Sequence, residues 1–352
     1  MSFFRFPNYY TKFSCLADKC RDTCCSRWEI DVDDKTYGYM QNVGGELGKK
    51  LLSNIIQGKD GRYIKLNEHG FCPFLTENKL CSLYSRLGEE HVSAICREHP
   101  RWYNWYSNGR EAGMGICCEE VARLVMSAEN DLTFSEYETD EITDEDYSET
   151  DIAVENFLLE KRKEIFSIIK NNIDSDIDEI TNAVCNAALK IQDEYDSIFI
   201  CGGIVCDSYK YNFVSRFFTK ENIMALTDTL LSFEIIDSRW QEMLILIKDN
   251  ITDVLKFRKS FISRYKDKKR FARLLHYFVY RYFTQAFSDD DIFSKVNYAL
   301  ISVCYLQLLF TLFYIKNEVP DAAAACDICK IYSAETEYDT DIREELSHYP
   351  VI

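Results

Sequence analysis

Four cysteines fall within eleven residues near the start of the chain, as Cys15-x4-Cys20-x3-Cys24-Cys25, and they constrain the fold more than any other feature. Cys72, Cys81, Cys96 and the pair Cys117-Cys118 follow, so that nine of the 15 cysteines lie in the first 118 of 352 residues. Whether such thiols are bridges, ligands or catalysts depends on the compartment. The opening MSFFRFPNYYTKFSC lacks a basic stretch followed by an uninterrupted apolar run, which is not the pattern of a secretory signal and predicts a cytoplasmic chain. Reducing cytosol makes structural disulfides rare and metal ligation more common for clustered thiols. Thiolate is a soft ligand, so zinc or iron–sulfur centres are expected rather than magnesium. Four thiolates satisfy one tetrahedral zinc or one cubane cluster. Eight or nine would serve two centres, or one centre plus buried thiols that only pack.

The rest of the chain reads as helix. Eleven of the 13 glycines precede residue 116, and no proline occurs between Pro100 and Pro320. Both residues disfavour helix interiors, so their scarcity over that span predicts long helices. Apolar spacing of three and four residues marks Val154–Ile169, Ile177–Ile191, Ile223–Ile236, Met243–Phe257, Phe271–Phe287 and Val296–Ile315. No strand-like alternation stands out. Ala299–Ile315 is apolar enough to suggest a membrane span, yet at 17 residues it is at the short limit and carries Ser302, Gln307 and Thr311, which favours a buried core helix. A formal net charge of −17 excludes charge-driven binding to nucleic acid or to anionic membranes. Between Arg123 and Lys161 there is no basic residue, and 11 acidic ones lie in Glu129–Asp151. Such a block repels itself and reads as a solvated connector, placing a domain boundary near residue 135. The expected architecture is mainly α: an irregular cysteine-rich metal-binding domain over 1–135, then a C-terminal helical bundle over 136–352.

Several chemistries are absent from the sequence. Cys20-x3-Cys24 has no third cysteine at the spacing of a radical S-adenosylmethionine signature. Gly44-Gly45-Glu46-Leu47-Gly48 and Cys201-Gly202-Gly203 lack the dinucleotide-binding register, and no P-loop occurs. Cys326-x2-Cys329 has ligand spacing but no neighbouring second pair, and reads as a helical surface pair. His69, His91 and His99 flank cysteines and are expected to pack beside a metal site rather than bind the metal.

Eight ordered segments carry a resemblance. They are Phe13-Ser14-Cys15, Cys20-Arg21-Asp22-Thr23-Cys24-Cys25, Trp28-Glu29-Ile30-Asp31, Gly70-Phe71-Cys72-Pro73-Phe74-Leu75, Leu80-Cys81, Leu87-Gly88-Glu89, Cys96-Arg97-Glu98-His99-Pro100-Arg101, and Cys117 with Glu119 and Ala122-Arg123. Together they resemble the flagellin lysine-N-methylase family, FliB, whose N-terminal part belongs to a wider cysteine-cluster family of zinc- or iron-chelating proteins. The likeness continues through His276–Phe283 and Tyr332–Glu337. Arg27 and Cys118 depart from the family pattern, which commonly has glycine and proline there. The resemblance implies methyl transfer from S-adenosylmethionine to lysines of flagellin. It also implies an iron–sulfur cluster, with zinc as the alternative, on ligands drawn from Cys15, Cys20, Cys24, Cys25, Cys72, Cys81, Cys96 and Cys117.

Lysine methylation needs a neutral, desolvated amine lined up behind a sulfonium methyl, with a carboxylate or tyrosine near to take the proton. Tyr277 and Arg281 share a face of the Phe271–Phe287 helix with Thr284, while Arg273, Tyr280 and Phe287 lie near or beside it. Arg281 is the candidate for the donor's carboxylate and Tyr277 for its sulfonium, which favours aromatic faces. Tyr280 and Glu337 are the candidate catalytic groups, Glu337 as proton acceptor or amine-orienting carboxylate. The competing readings are an arginine stacked at a domain contact and an ordinary exposed glutamate. At the level of function, the alternatives are a non-enzymatic metal-chelating module with a helical partner-binding domain, and an electron-transfer or redox-sensing protein.

Overall fold

The computed structural model describes residues 2–59, 61–140, 147–200, 206, 208–265, 267, 269–316 and 319–351. Cys201-Gly202-Gly203 and the acidic residues 141–146 lie outside them.

The N-terminal part is built from short elements: β1 (Ser2–Pro7), α1 (Asp34–Gln41), α2 (Gly45–Ser53), β2 (Ile55–Gln57), β3 (Arg62–Ile64), α3 (Ser82–Leu87), α4 (Ala94–Glu98), β4 (Arg101–Tyr106), β5 (Gly109–Met114), α5 (Glu119–Met126) and β6 (Phe134–Thr139). Strands β4, β5, β1 and β6 lie in that order in one sheet, with β1 parallel to β5 and the other two pairs antiparallel. This sheet corrects the expectation that no strands stand out. Its strands are six residues long, and β1 and β4 are aromatic on both faces, as SFFRFP and RWYNWY, so no polar–apolar alternation reveals them. Backbone contact here depends on glycine: a Cβ on Gly109 would lie 2.3 Å from the Phe3 carbonyl oxygen. The segment read as a solvated connector contains β6, whose residues pair with β1 from Ser2↔Thr139 to Pro7↔Phe134.

The helices follow: α6 (Glu149–Asn171), α7 (Ile177–Tyr195), α8 (Phe213–Phe217), α9 (Lys220–Ser232), α10 (Ser238–Arg264), α11 (Lys269–Tyr282), α12 (Ile292–Lys316), α13 (Ala322–Thr336) and α14 (Thr340–His348). The mainly helical architecture and each of the six expected helices are present, several with visible start signals. Ser148 and Asp151 form a reciprocal capping box on α6, and Thr219 and Asp321 cap α9 and α13. The helix over Phe271–Phe287 is shorter than its apolar pattern, because α11 gives way to a 3-10 segment at Phe283–Ser288.

Helix α12 is the axis of the bundle, packed against α7, α10, α11 and α14. It is the one helix among the described residues long and apolar enough to cross a membrane, and 83% of its apolar window is buried against protein. Its polar side chains bond inward: Gln307 Oε1 accepts from Arg258 at 2.7 Å, Ser302 accepts from Tyr332 at 2.9 Å, and Thr311 donates to the Gln307 carbonyl at 2.7 Å. Tyr9, Met114, Ile116 and α5 share one continuous core with these helices. A separate small core, Ile30, Val32, Met40, Leu51, Ile64, Cys72, Phe74, Leu83 and Val92, lies inside the cysteine-rich part.

Candidate functional site

Helix α11 is buried along its whole length from Phe271 to Tyr282, and it presents two chemistries to two neighbours. One side meets the end of α13. Glu337, at the end of α13, is 1% exposed and accepts hydrogen bonds from Tyr277 at 2.9 Å, Tyr282 at 2.8 Å and Arg281 at 2.8 Å. Glu337 is therefore no exposed surface glutamate. Burial acts against the Arg281 charge, yet Tyr277, Tyr282, Glu337 and Tyr338 together hold it well above its ordinary value. Burial likewise keeps Tyr277 and Tyr282 far above the usual phenol range, so both act as donors to the carboxylate. The guanidinium stands 5.7 Å from the Trp102 ring, 5.3 Å from Tyr282 and 5.0 Å from Tyr338. This is an aromatic box of the kind that receives a cation, and Arg281 itself occupies it.

Tyr280 is turned the other way. Its hydroxyl donates to the Ala112 carbonyl of β5 at 3.0 Å, and its ring packs on Trp102, Phe134 and Phe166. The structure thus brings together Tyr277, Arg281 and Glu337 and places Tyr280 against the sheet. Thr284 bonds Tyr106 at 2.9 Å instead of joining them, and Arg273 reaches the Met126 and Asn130 carbonyls and Asp267. Under the sheet lies a second buried carboxylate that sequence reasoning missed. Glu111 pairs with Arg162 at 2.5 Å and Arg5 at 2.9 Å, and accepts from Tyr106 at 2.9 Å. No local signal marks it, since its partners are 51, 106 and five residues away.

The thiols gather in two groups. Burial pushes Cys96 up to about 12, and the neighbouring sulfurs of Cys25, Cys72 and Cys81 add to the rise. Cys72, Cys25 and Cys81 also share the small core, and Cys72 N–H donates to the Cys25 carbonyl at 2.8 Å. In the second group, the hydrogen bond from Cys24 to Cys25 raises Cys24, followed by burial and the charges of Cys25, Cys15 and Cys118. That same bond lowers Cys25 to about 7. Burial lifts Cys118 to about 11, with Cys20 and Cys15 adding to it. Cys20 also donates to Glu119 at 3.6 Å. Cys117 belongs to neither group: its thiol donates to the Tyr338 hydroxyl at 3.1 Å. Among the described residues no three Cys, His, Asp or Glu side chains close into a ligand shell. The donors suit a soft metal in kind and are gathered, while the shell itself stays open.

Two of the three flanking histidines pack as expected, whereas the expectation fails for His69, which is exposed beside Glu68. Burial lowers His99 to about 4, and its ring lies 5.7 Å from Trp28; His91 stacks on Tyr39 at 3.7 Å. Cys326 and Cys329 are not a surface pair. They are 4% and 0% exposed, because α13 is held between α5 and α12, and Cys329 touches the Met126 sulfur at 3.6 Å. Charged residues tie the cysteine loop to the bundle: Asp22 meets Arg239 at 2.8 Å and Lys330 at 3.0 Å, and Arg27 meets Asp237 at 2.6 Å.

Comparison with known proteins matches residues 155–349 to the "FliB lysine N-methylase C-terminal domain", a model covering more than half of the chain. The chain belongs to the FliB lysine N-methylase family. Residues 14–112 match a second family, the "Putative zinc- or iron-chelating domain". Lysine-N-methylases of Salmonella typhimurium and Salmonella choleraesuis are each 30% identical over 136 residues, 37% of this chain and 34% of the relative. The match therefore spans about a third of the length of these curated relatives. The flagellar biosynthetic protein FliU of Salmonella muenchen is 31% identical over 127 residues, 34% of this chain and 75% of FliU. No solved structure matches the chain. The family match over 155–349 contains Tyr277, Arg281 and Glu337, and the chelating-domain match contains the first seven cysteines.

Proposed function

We propose that the chain methylates lysine side chains of flagellin with S-adenosylmethionine as donor, while its cysteine region holds an iron–sulfur cluster or, as the alternative, zinc. The observation that carries this reading is that Arg281, Tyr277 and Glu337 converge inside the segment matching the methylase family. In this reading residues 1–135 bind the metal and 136–352 serve donor and substrate. The metal is held by Cys25, Cys72, Cys81 and Cys96 and by Cys15, Cys20 and Cys24, where it supplies cross-links that the short elements lack. The donor supplies an electrophilic methyl group. Arg281 offers its guanidinium to the donor's carboxylate, Tyr277 and Tyr282 orient Glu337, and Glu337 keeps Arg281 in place. A lysine amine brought against the aromatic side chains around Arg281 would lose water, which favours the neutral amine that methylation requires. Tyr280 supports this arrangement from the sheet side.

Incubation of metal-replete protein with labelled donor and flagellin monomers tests the enzyme reading. Label on flagellin lysines is expected, and Arg281→Lys is expected to weaken donor binding. A brown protein with absorption near roughly 400 nm and acid-labile sulfide identifies iron–sulfur, whereas a zinc site is colourless. One observation favours the non-enzymatic chelating module: Glu337 is enclosed and Arg281 fills its own aromatic box. Absence of labelled lysine from a metal-replete reaction decides for that module.

A further inference from the structure

Residues Gly115, Ile116, Cys117 and Cys118 connect β5 to α5, and between them they touch Tyr338, Tyr277 and the cysteine loop. Gly115 provides room, since a Cβ there would lie 2.1 Å from the Tyr338 hydroxyl and 3.3 Å from both Arg281 Nη1 and Cys117 Sγ. The Ile116 N–H donates to the Tyr277 hydroxyl at 3.2 Å, and that hydroxyl donates onward to Glu337 at 2.9 Å. Cys117 Sγ donates to Tyr338 Oη at 3.1 Å. Cys118 opens α5 and is followed by Glu119, which accepts from the Cys20 thiol at 3.6 Å and from the Arg21 N–H at 2.9 Å, so Cys118 sits at the cysteine loop. The Cys118 N–H donates to the Gly115 carbonyl at 3.2 Å, so the four residues close into one turn.

Tyr338 is the exposed wall of the aromatic box. It is 47% exposed, its ring covers Arg281 at 5.0 Å, and its hydroxyl rests on Gly115 and Cys117. We infer that this tetrapeptide couples the cysteine region to the buried carboxylate site: Cys118 joins the sulfur set of Cys15, Cys20 and Cys24, and Cys117, a positioning residue and not a metal ligand, latches Tyr338 over Arg281. A metal that draws Cys118 toward the other sulfurs fixes the backbone carrying the Ile116 N–H and the Cys117 thiol. Because Ile116 and Cys117 are two and one positions from Cys118, a shift there is transmitted to Tyr277 and Tyr338 with little room to dissipate in packed surroundings. The inference rests on the metal-binding part of the proposed function and is independent of methyl transfer.

Two measurements on the full chain test it: zinc and iron content by elemental analysis, and amide hydrogen exchange of the peptide spanning 334–340, each with and without a chelator. In the unchanged protein, metal is expected to slow exchange of that peptide by on the order of tenfold. Cys117→Ala is expected to keep its metal and lose the slowing, and Cys117→Ser, which retains a donor, to restore it. Cys118→Ala is expected to lose metal, although the decisive pair at position 117 does not depend on how that variant folds. Loss of metal from Cys117→Ala makes Cys117 a ligand and overturns the inference. So does exchange that ignores the metal, or slowing that survives in Cys117→Ala. Failure of the unchanged protein to take up zinc or iron overturns both this inference and the metal reading beneath it, whereas uptake without an effect at 334–340 overturns this inference alone.

Discussion

The cysteine-rich region and the helical bundle reach order by different physics. The bundle buries most of α12, and buried charge finds partners inside it, as Arg258 does with Gln307 and Asp178. The cysteine region has helices of five to nine residues, two three-residue strands and a core of nine buried side chains among its described residues. A core of that size rarely holds a domain without a staple. Its described cysteines are free, so the staple is not a disulfide, and its thiols gather in two groups with no closed ligand shell. Packing organises one region, whereas under the proposed function a bound metal organises the other.

Removing metal is the largest way to break that contrast. Metal-stripped protein is expected to lose protection across residues 14–99, corresponding to on the order of 10 kcal/mol of local stability, while 149–348 stay protected. Hydrogen exchange followed by mass spectrometry reads both regions at once, and equal loosening of the two would end the distinction.

Inside the bundle, Glu337→Ala leaves Arg281 buried without its carboxylate and is expected to destabilise by about 3–5 kcal/mol in urea melts. Glu337→Gln, which keeps an acceptor, is expected to cost less. Little effect from Glu337→Ala would mean that the site is more open to water than its 1% exposure indicates.

A smaller effect sits where the two regions meet. Glu335 accepts the backbone N–H groups of Ile236 and Asp237 at 3.2 and 2.7 Å, and burial raises it from 4.5 to about 7, with the charge of Asp237 adding to the rise. The folded chain then binds more protons than the unfolded chain between those two values, so stability falls as pH rises from about 4.5 to 7. The expected loss is about 1–3 kcal/mol, and Glu335→Gln is expected to flatten the profile of midpoint against pH. Smallest of all is the surface pair of Lys49 with Glu46, which are 77% and 93% exposed. Lys49→Ala is expected to leave the melting midpoint unchanged within error.

Much of the bundle was legible because helices report themselves locally. The spacing in Val154–Ile169 or Met243–Phe257 needs only one face to be apolar, and α6 and α10 appear where it predicts. The sheet was illegible because both of its faces pack. Phe4 and Phe6 lie on one side with Tyr137, while Phe3 and Arg5 face the other, so period two disappears. Glu337 was recognisable only through its place in the Tyr332–Glu337 segment, and its burial depends on three donors drawn from α11. Cys326 and Cys329 misled because ligand spacing on a helix also describes two buried thiols.

The amino-acid sequence alone determined which residue types are available: thiols crowded at one end, long apolar periods at the other, and a net charge of −17. Those follow from composition and local periodicity, which do not depend on contacts distant in sequence. Only tertiary structure decided that Cys117 meets Tyr338, that Tyr277 and Tyr280 serve different neighbours, and that Glu111 and Glu337 each acquire a buried arginine. Each of those outcomes is set by a partner dozens or hundreds of residues away, and burial and charge act through space rather than along the chain.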